Sequence, residues 1–287
     1  MRVKSKKAVD DVKGPQQGND KGPLATVRAR ALLFGLNYAH MPSSALQGCI
    51  NDVQNMKAYL MNRLGAELVC DVATDDTAAG RTATSAMGMT RKLSELAVLT
   101  YKEDLEFVWI HYSGHGTRVV DRSKDELDGY DECLVPSDYT TAGVIPDDYL
   151  AKLFEQFNPK TRVIAVFDSC HSGTVVDLKY SWEGRACTME NSNSRVRAPI
   201  MALSGCLDSQ TSADAYNVDG QRQYTGAMTS VMLHVLQTTG AAADDAFLLV
   251  DAMRAHLREQ NFTQWPKLCS SFSLVLPSSR AMLPRRT

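Results

Sequence analysis

The chain has 287 residues, 44% of them hydrophobic, and a formal net charge of −2. That suffices for one large domain or two small ones and gives no basic excess of the kind nucleic-acid binding needs. No apolar run approaches the ~18 residues that cross a bilayer, and the leader lacks the apolar segment of a signal peptide. Seven cysteines without paired C-x-x-C spacing argue against a disulfide framework or a zinc cluster and predict a reducing, cytoplasmic setting.

Residues 1–28 form a polar, lysine-bearing segment (Lys4, Lys6, Lys7, Lys13, Lys21) with two Gly-Pro pairs, a composition that cannot bury a core by itself. From residue 29 onward the pattern predicts one α/β domain. Ala29–Asn37 reads as a strand, Met41–Gly48 as a loop and Asp52–Leu64 as a helix with Val53, Met56, Tyr59 and Leu60 on one face. Asp52 is placed to cap that helix. Glu67–Ala73 is a second strand, Thr82–Leu99 a second helix, and Leu105–Ser113 a third strand. Asp147–Phe157 is a helix that Pro146 opens, and Val163–Asp168 a fourth strand. The order β-α-β-α-β-α-β predicts a mostly parallel sheet with helices on both faces. Residues 179–199 are polar and read as a surface loop. Strand Ile200–Ser204, helices near Gly226–Thr238 and Asp245–Gln260, and a last strand, Cys269–Leu276, complete the chain.

Two of these strands end in reactive residues. Val163–Phe167 is a continuous apolar run, as expected of a strand buried on both faces, and it stops at Asp168-Ser169-Cys170-His171-Ser172-Gly173. Phe107–Ile110 has the same design and leads to Ser113-Gly114-His115-Gly116. Ligands of open α/β sheets bind at the carboxyl ends of strands. A free thiol titrates near 8.5 and is mostly protonated at neutral pH; a neighbouring imidazole favours the thiolate and later protonates the leaving amine. Cys170 is therefore the candidate nucleophile and His115, framed by two glycines, the candidate acid–base. No third residue stands out to orient the imidazole, so the pair reads as a dyad. His111 sits within its strand and is expected to pack; His40, His234 and His256 carry no signal.

The Ser113–Gly116 and Asp168–Gly173 stretches, together with Leu46–Asp52, Asp128–Glu132 and Ser204–Asp214, resemble the motifs of a type I metacaspase, a caspase-like cysteine peptidase. The resemblance runs from about Arg30 to the C-terminus. It implies a caspase-like, mostly parallel sheet of six or more strands, divided into a large-subunit-like part (29–178), the 179–199 loop and a small-subunit-like part (200–287), behind a prodomain-like segment (1–28). The backbone N–H groups of Gly116 and Cys170 are the natural oxyanion hole.

The resemblance also implies that Asp52 and Asp168 form an acidic S1 floor with Cys49 and Ser113 on its walls. Such a pocket would take Arg or Lys. The family further implies calcium dependence, with Asp131, Asp147, Asp148 and Asp177 as ligands and Glu132 a further candidate; the spacing is not that of an EF-hand. The expected activity is a calcium-activated cysteine endopeptidase cutting after Arg or Lys. It would process itself at points such as Lys179, Arg185, Arg195, Arg197 or Arg222, and work as a monomer on protein or peptide substrates. The alternatives are a catalytically idle caspase-like scaffold that binds protein partners, and a hydrolase of the same fold with asparaginyl specificity.

Overall fold

The computed structural model describes residues 27–65, 68–120, 129–169, 176–206, 214–216 and 224–284. In the first half, β1 (Ala29–Gly35), α1 (Cys49–Leu64), β2 (Val69–Thr74), α2 (Ala78–Ala83), α3 (Ala86–Lys102) and β3 (Phe107–Ser113) follow in order. Next come β4 (Gly116–Val120), β5 (Tyr130–Leu134), α4 (Tyr139–Ala142), β6 (Ile145–Pro146), α5 (Asp147–Phe154) and β7 (Arg162–Asp168). The remainder contains β8 (Tyr180–Glu183), β9 (Ala186–Met189), β10 (Ile200–Cys206), β11 (Asp214–Tyr216), β12 (Tyr224–Gly226), α6 (Ala227–Thr238), α7 (Ala246–Glu259) and β13 (Trp265–Ser270).

The main sheet has eight strands in the order β2-β1-β3-β7-β10-β13-β8-β9. The pairs from β2 to β10 are parallel, and β13, β8 and β9 join antiparallel. The inner strands are apolar on both faces because both faces are covered. On one side Leu33, Trp109, Ile164, Met201 and Leu203 pack with Val53, Met56 and Leu60 of α1 and with α6 and α7. On the other, Leu32, Phe34, Val108, Ile110, Val163, Ala165 and Phe167 pack with α3 and α5. β4, β5 and β6 form a small separate sheet, and β11 pairs with β12.

The structure corrects several sequence expectations. The stretch 179–199 read as a surface loop holds the β8–β9 hairpin, whose β8 pairs with β13 and covers its outer edge. The last strand is Trp265–Ser270, not Cys269–Leu276. The single helix expected over Thr82–Leu99 is two, because Ser85 breaks away as an N-cap and accepts the Gly88 N–H at 3.0 Å. α1 starts at Cys49 behind Gly48, so Asp52 lies within its first turn and is not its cap. Pro146 immediately precedes α5 and does not occupy its first turn.

Candidate active site

The carboxyl ends of β3 and β7 lie side by side, with Ser113 the register partner of Asp168. His115 follows Ser113 by two residues just as Cys170 follows Asp168 by two; Cys170 itself, with His171–Val175, lies outside the described residues. The Gly114 N–H donates to the Asp168 carbonyl at 3.3 Å and ties the two strand ends together. Gly116 opens β4 opposite Leu134.

The imidazole has an orienting partner that sequence reasoning missed. His115 Nε2 lies 2.7 Å from the Ser44 carbonyl oxygen. A carbonyl can only accept, so Nε2 carries a proton, which leaves Nδ1 as the nitrogen with the lone pair in the neutral ring. A backbone carbonyl leaves no trace in residue identity, which is why the sequence does not mark it.

Asp52, Ser113 and Asp168 converge, all but completely buried. The Ser113 hydroxyl donates to Asp52 Oδ2 at 2.6 Å. The Gly226 N–H, just ahead of α6, donates to both Asp52 oxygens at 2.9 and 3.0 Å, and the Thr229 N–H in the first turn donates to Asp168 Oδ2 at 2.8 Å. The positive end of α6 thus holds two carboxylates in one place. Glycine leaves room for both acids there: a Cβ on Gly226 would stand 2.3 Å from Asp168 Oδ2 and 2.7 Å from Asp52 Oδ2, so one or both carboxylates would have to move. Cys49 is buried at the start of α1. Gly226 and Thr229 are the second miss of the sequence reading, since nothing local distinguishes the start of α6.

Behind this pair His111 packs as expected, completely buried, with Nε2 3.2 Å from Thr229 Oγ1. Burial pulls its basicity down to about 3, so the ring is neutral. Burial also raises Cys70 to about 11 and Cys133 and Cys269 to about 12, so these thiols are inert at neutral pH.

The acidic residues on the other flank are gathered in part. Asp131 in β5 and Asp147 at the start of α5 are buried, and Asp177 sits beyond β7 with φ +46°. Burial raises the Asp147 carboxyl to about 8; the Glu132 and Asp148 N–H groups oppose that shift, and the Asp177 and Asp131 carboxylates add to it. Asp148 leans along its helix to Lys152, 3.9 Å away, and Glu132 pairs with Arg118 at 3.4 Å. Among the described residues no three histidine, cysteine or acidic side chains are arranged to hold a metal ion. The Asp131 and Asp177 carboxylates do act electrostatically on Asp147, and carboxylate oxygens are the donor type a hard divalent cation takes. Residues 121–128 of the same acidic stretch lie outside the described residues.

Residues 29–179 match the sequence profile of the metacaspase peptidase C14 domain. The chain belongs to the metacaspase family. A metacaspase is a caspase-like cysteine peptidase, a hydrolase of protein substrates. Metacaspase-1B of Aspergillus oryzae is 33% identical over 301 residues, covering 87% of this chain and 69% of that protein. Metacaspase-2 of Trypanosoma brucei brucei is 33% identical over 270 residues, covering 88% and 76%. In fold, the metacaspase chain is similar to caspase-1 of Spodoptera frugiperda (TM-score 0.55, 13% identity, covering 86% of this chain and 87% of that one). Protein GSU0716 of Geobacter sulfurreducens has the same fold (TM-score 0.61, 24% identity, covering 90% and 100%). Among the described residues no helix is long and apolar enough to cross a membrane.

Proposed function

We propose that this metacaspase is a calcium-activated endopeptidase that cuts after Arg or Lys through the Cys170–His115 pair. The observation that carries the specificity is the Asp52–Asp168 carboxylate pair held by the N-terminus of α6. Backbone donors and Ser113 hold the two carboxyl groups side by side, an arrangement that suits a substrate guanidinium or ammonium and repels an aspartate side chain.

In this mechanism His115 Nδ1 takes the thiol proton and the Cys170 sulfur attacks the scissile carbonyl carbon. The oxyanion is received by the Gly116 and Cys170 N–H groups. As the C–N bond breaks, His115 returns the proton to the leaving amine and a thioester remains. His115 then draws a proton from water, whose oxygen displaces the sulfur and releases the acid. The Ser44 carbonyl stabilises the imidazolium formed in each step. Asp131, Asp147, Asp148 and Asp177 are the side chains that would hold Ca²⁺, whose charge would offset the mutual repulsion of their carboxylates.

For self-processing, Arg195 and Arg197 are the best placed of the sequence candidates: both are exposed in the irregular stretch between β9 and β10. Arg185 is exposed too, but it belongs to the tight β8–β9 turn beside Gly184, whose φ is +57°. Lys179 is half-buried, and Arg222 lies outside the described residues. The covered edge of β13 supports a monomer, and the absence of a disulfide among the described cysteines fits a reducing cytoplasm.

The test is a fluorogenic peptide panel ending in Arg, Lys, Asp or Asn, cleaved by the wild type and by Cys170→Ala, with calcium or chelator. Cleavage after Arg and Lys that needs both Cys170 and calcium is expected. Preference for Asp or Asn overturns the specificity, and full activity in chelator overturns the calcium role.

A further inference from the structure

We propose that Tyr38 and Asp75 are positioning residues for His115, a single unit that fixes both the imidazole's backbone and the carbonyl its ring leans on. The proposal rests on the reading of His115 as the acid–base of the reaction.

Tyr38 follows β1 with φ +51°, a left-handed conformation that is costly for a bulky residue and persists only where the surroundings impose it. Asp75 imposes it. Its carboxylate, 2% exposed, accepts the Asn37 N–H at 2.8 Å on Oδ1 and the Tyr38 N–H at 2.6 Å on Oδ2. Charge-assisted bonds of this kind are about twice as strong as neutral ones.

The turn so fixed has two consequences, one through the backbone and one through the ring. The Tyr38 carbonyl accepts the Met41 N–H at 2.8 Å, the Met41 carbonyl accepts the Ser44 N–H at 2.9 Å, and the Leu46 N–H closes the loop on the Asn37 carbonyl at 2.8 Å. That folded loop is what brings the Ser44 oxygen to His115 Nε2. The Tyr38 side chain meanwhile turns under the catalytic histidine. Its hydroxyl accepts the His115 N–H at 3.1 Å and donates to the Val135 carbonyl at 2.5 Å, and its ring lies 4.8 Å from the imidazole at an interplanar angle of 36°.

A second tyrosine completes the grip, since the Tyr112 hydroxyl donates to the His115 carbonyl at 2.6 Å. Gly114 is what lets both hydroxyls approach: a Cβ there would stand 2.7 Å from the Tyr112 oxygen and 3.0 Å from the Tyr38 oxygen. Burial keeps the Tyr38 phenol well above its ordinary range and so a neutral donor. The imidazole is thus held at its amide, at its ring face and at Nε2 by groups that all trace back to one turn. None of these groups needs to touch substrate.

Full-length Tyr38→Phe, Asp75→Asn, the double variant and His115→Ala test this. The measurements are kcat and KM on an Arg-ending fluorogenic peptide, the pH profile of kcat, and the melting temperature. Tyr38→Phe keeps the ring and removes the hydroxyl. A loss of about 10–100-fold in kcat is expected, the scale of a misplaced catalytic group, with KM within threefold and a displaced limb in the pH profile. Asp75→Asn should cause a similar loss, and the double variant much less than the product of the two because the residues act as one unit. Asp75→Asn leaves the tyrosine in place, so it carries the test if Tyr38→Phe folds poorly. Wild-type kcat in both single variants, or losses that simply multiply, would overturn the proposal while an inactive His115→Ala leaves the acid–base reading standing. An active His115→Ala would overturn that reading instead.

Discussion

Gly226→Ala isolates the acidic pocket from the rest of the site. Gly226 has φ −66° and ψ 133°, a conformation alanine adopts freely, so the added methyl acts through contact alone. It would meet Asp168 Oδ2 at 2.3 Å and Asp52 Oδ2 at 2.7 Å, against about 3.5 Å for a comfortable contact. One or both carboxylates must therefore retreat by roughly 1 Å. Asp168 is anchored by the Thr229 N–H at 2.8 Å and Asp52 by Ser113 at 2.6 Å, and hydrogen bonds to charged groups contribute about 1.5–3 kcal/mol each. Losing one such bond and misaligning the pair against a guanidinium should lower kcat/KM for an Arg-ending peptide by about 10²-fold. The assay pairs that constant with the rate at which iodoacetamide alkylates Cys170, which reports the thiol–imidazole pair alone and should stay within about threefold of wild type. A kcat/KM within threefold of wild type would refute the reasoning, because the substrate would then not rely on these carboxylates.

Other outcomes follow from the same geometry. The His111 imidazole takes up a proton near 6.5 in the unfolded chain but only near 3 in the folded one. The unfolded state therefore binds more protons between these values, and stability falls as pH drops through that window, by up to about 1.4 kcal/mol per pH unit. His111→Gln should flatten the melting temperature against pH between about 6.5 and 4; parallel curves would discount the buried ring. Trp182, 3% exposed, donates its indole N–H to Ser270 Oγ at 2.7 Å and stands 5.4 Å from the Phe247 ring. Trp182→Ala should cost about 3–5 kcal/mol in a urea titration and, by loosening the hairpin over β13, promote self-association, whereas the wild type should sediment as a monomer. A wild-type dimer would show that the covered edge does not set the oligomeric state. Calcium at about 100 times its dissociation constant should stabilise the wild type by about 2.7 kcal/mol, and Asp147→Ala should abolish the shift; an equal shift in both would place the ion elsewhere.

The parallel core was legible because strands covered on both faces are written as unbroken apolar runs, and Val163–Phe167 and Phe107–Ile110 are such runs. The hairpin was not, because β9 is exposed throughout and carries no hydrophobic pattern, while its turn at Gly184 looks like any polar loop. The last strand was misplaced for a related reason. Phe272–Leu276 is apolar enough to read as a strand, yet Val275 and Leu276 are exposed, and the true strand starts at Trp265-Pro266, where a proline argues against one. At the site, the side chains that carry chemistry were visible in their flanking patterns. What holds them was not: the Ser44 carbonyl and the Gly226 and Thr229 N–H groups are backbone. The Asp52–Gly226 contact moreover joins positions 174 residues apart, so local sequence offers only the capping explanation that the structure rejects.

The placement of the hairpin decides what self-cleavage can do. A cut at Arg195 or Arg197 leaves β7, β8 and β9 on one fragment and β10, α6, α7 and β13 on the other. The two fragments remain joined along β7·β10, from Ile200 opposite Val163 to Ser204 opposite Phe167, and again along β8·β13. Asp168 and Asp52 from the first fragment stay bonded to Thr229 and Gly226 of the second. The acidic pair is thus complete before any cut and does not depend on one, so processing would act by freeing the chain between β9 and β10, not by building the pocket. Protein cleaved at these arginines should elute from a sizing column as a single species of uncut mass and retain its cleavage of short Arg-ending peptides. Fragments that separate without denaturant would mean that the strand pairings across the cut are too weak to hold the site, and that continuity of the chain, not the sheet, keeps it together.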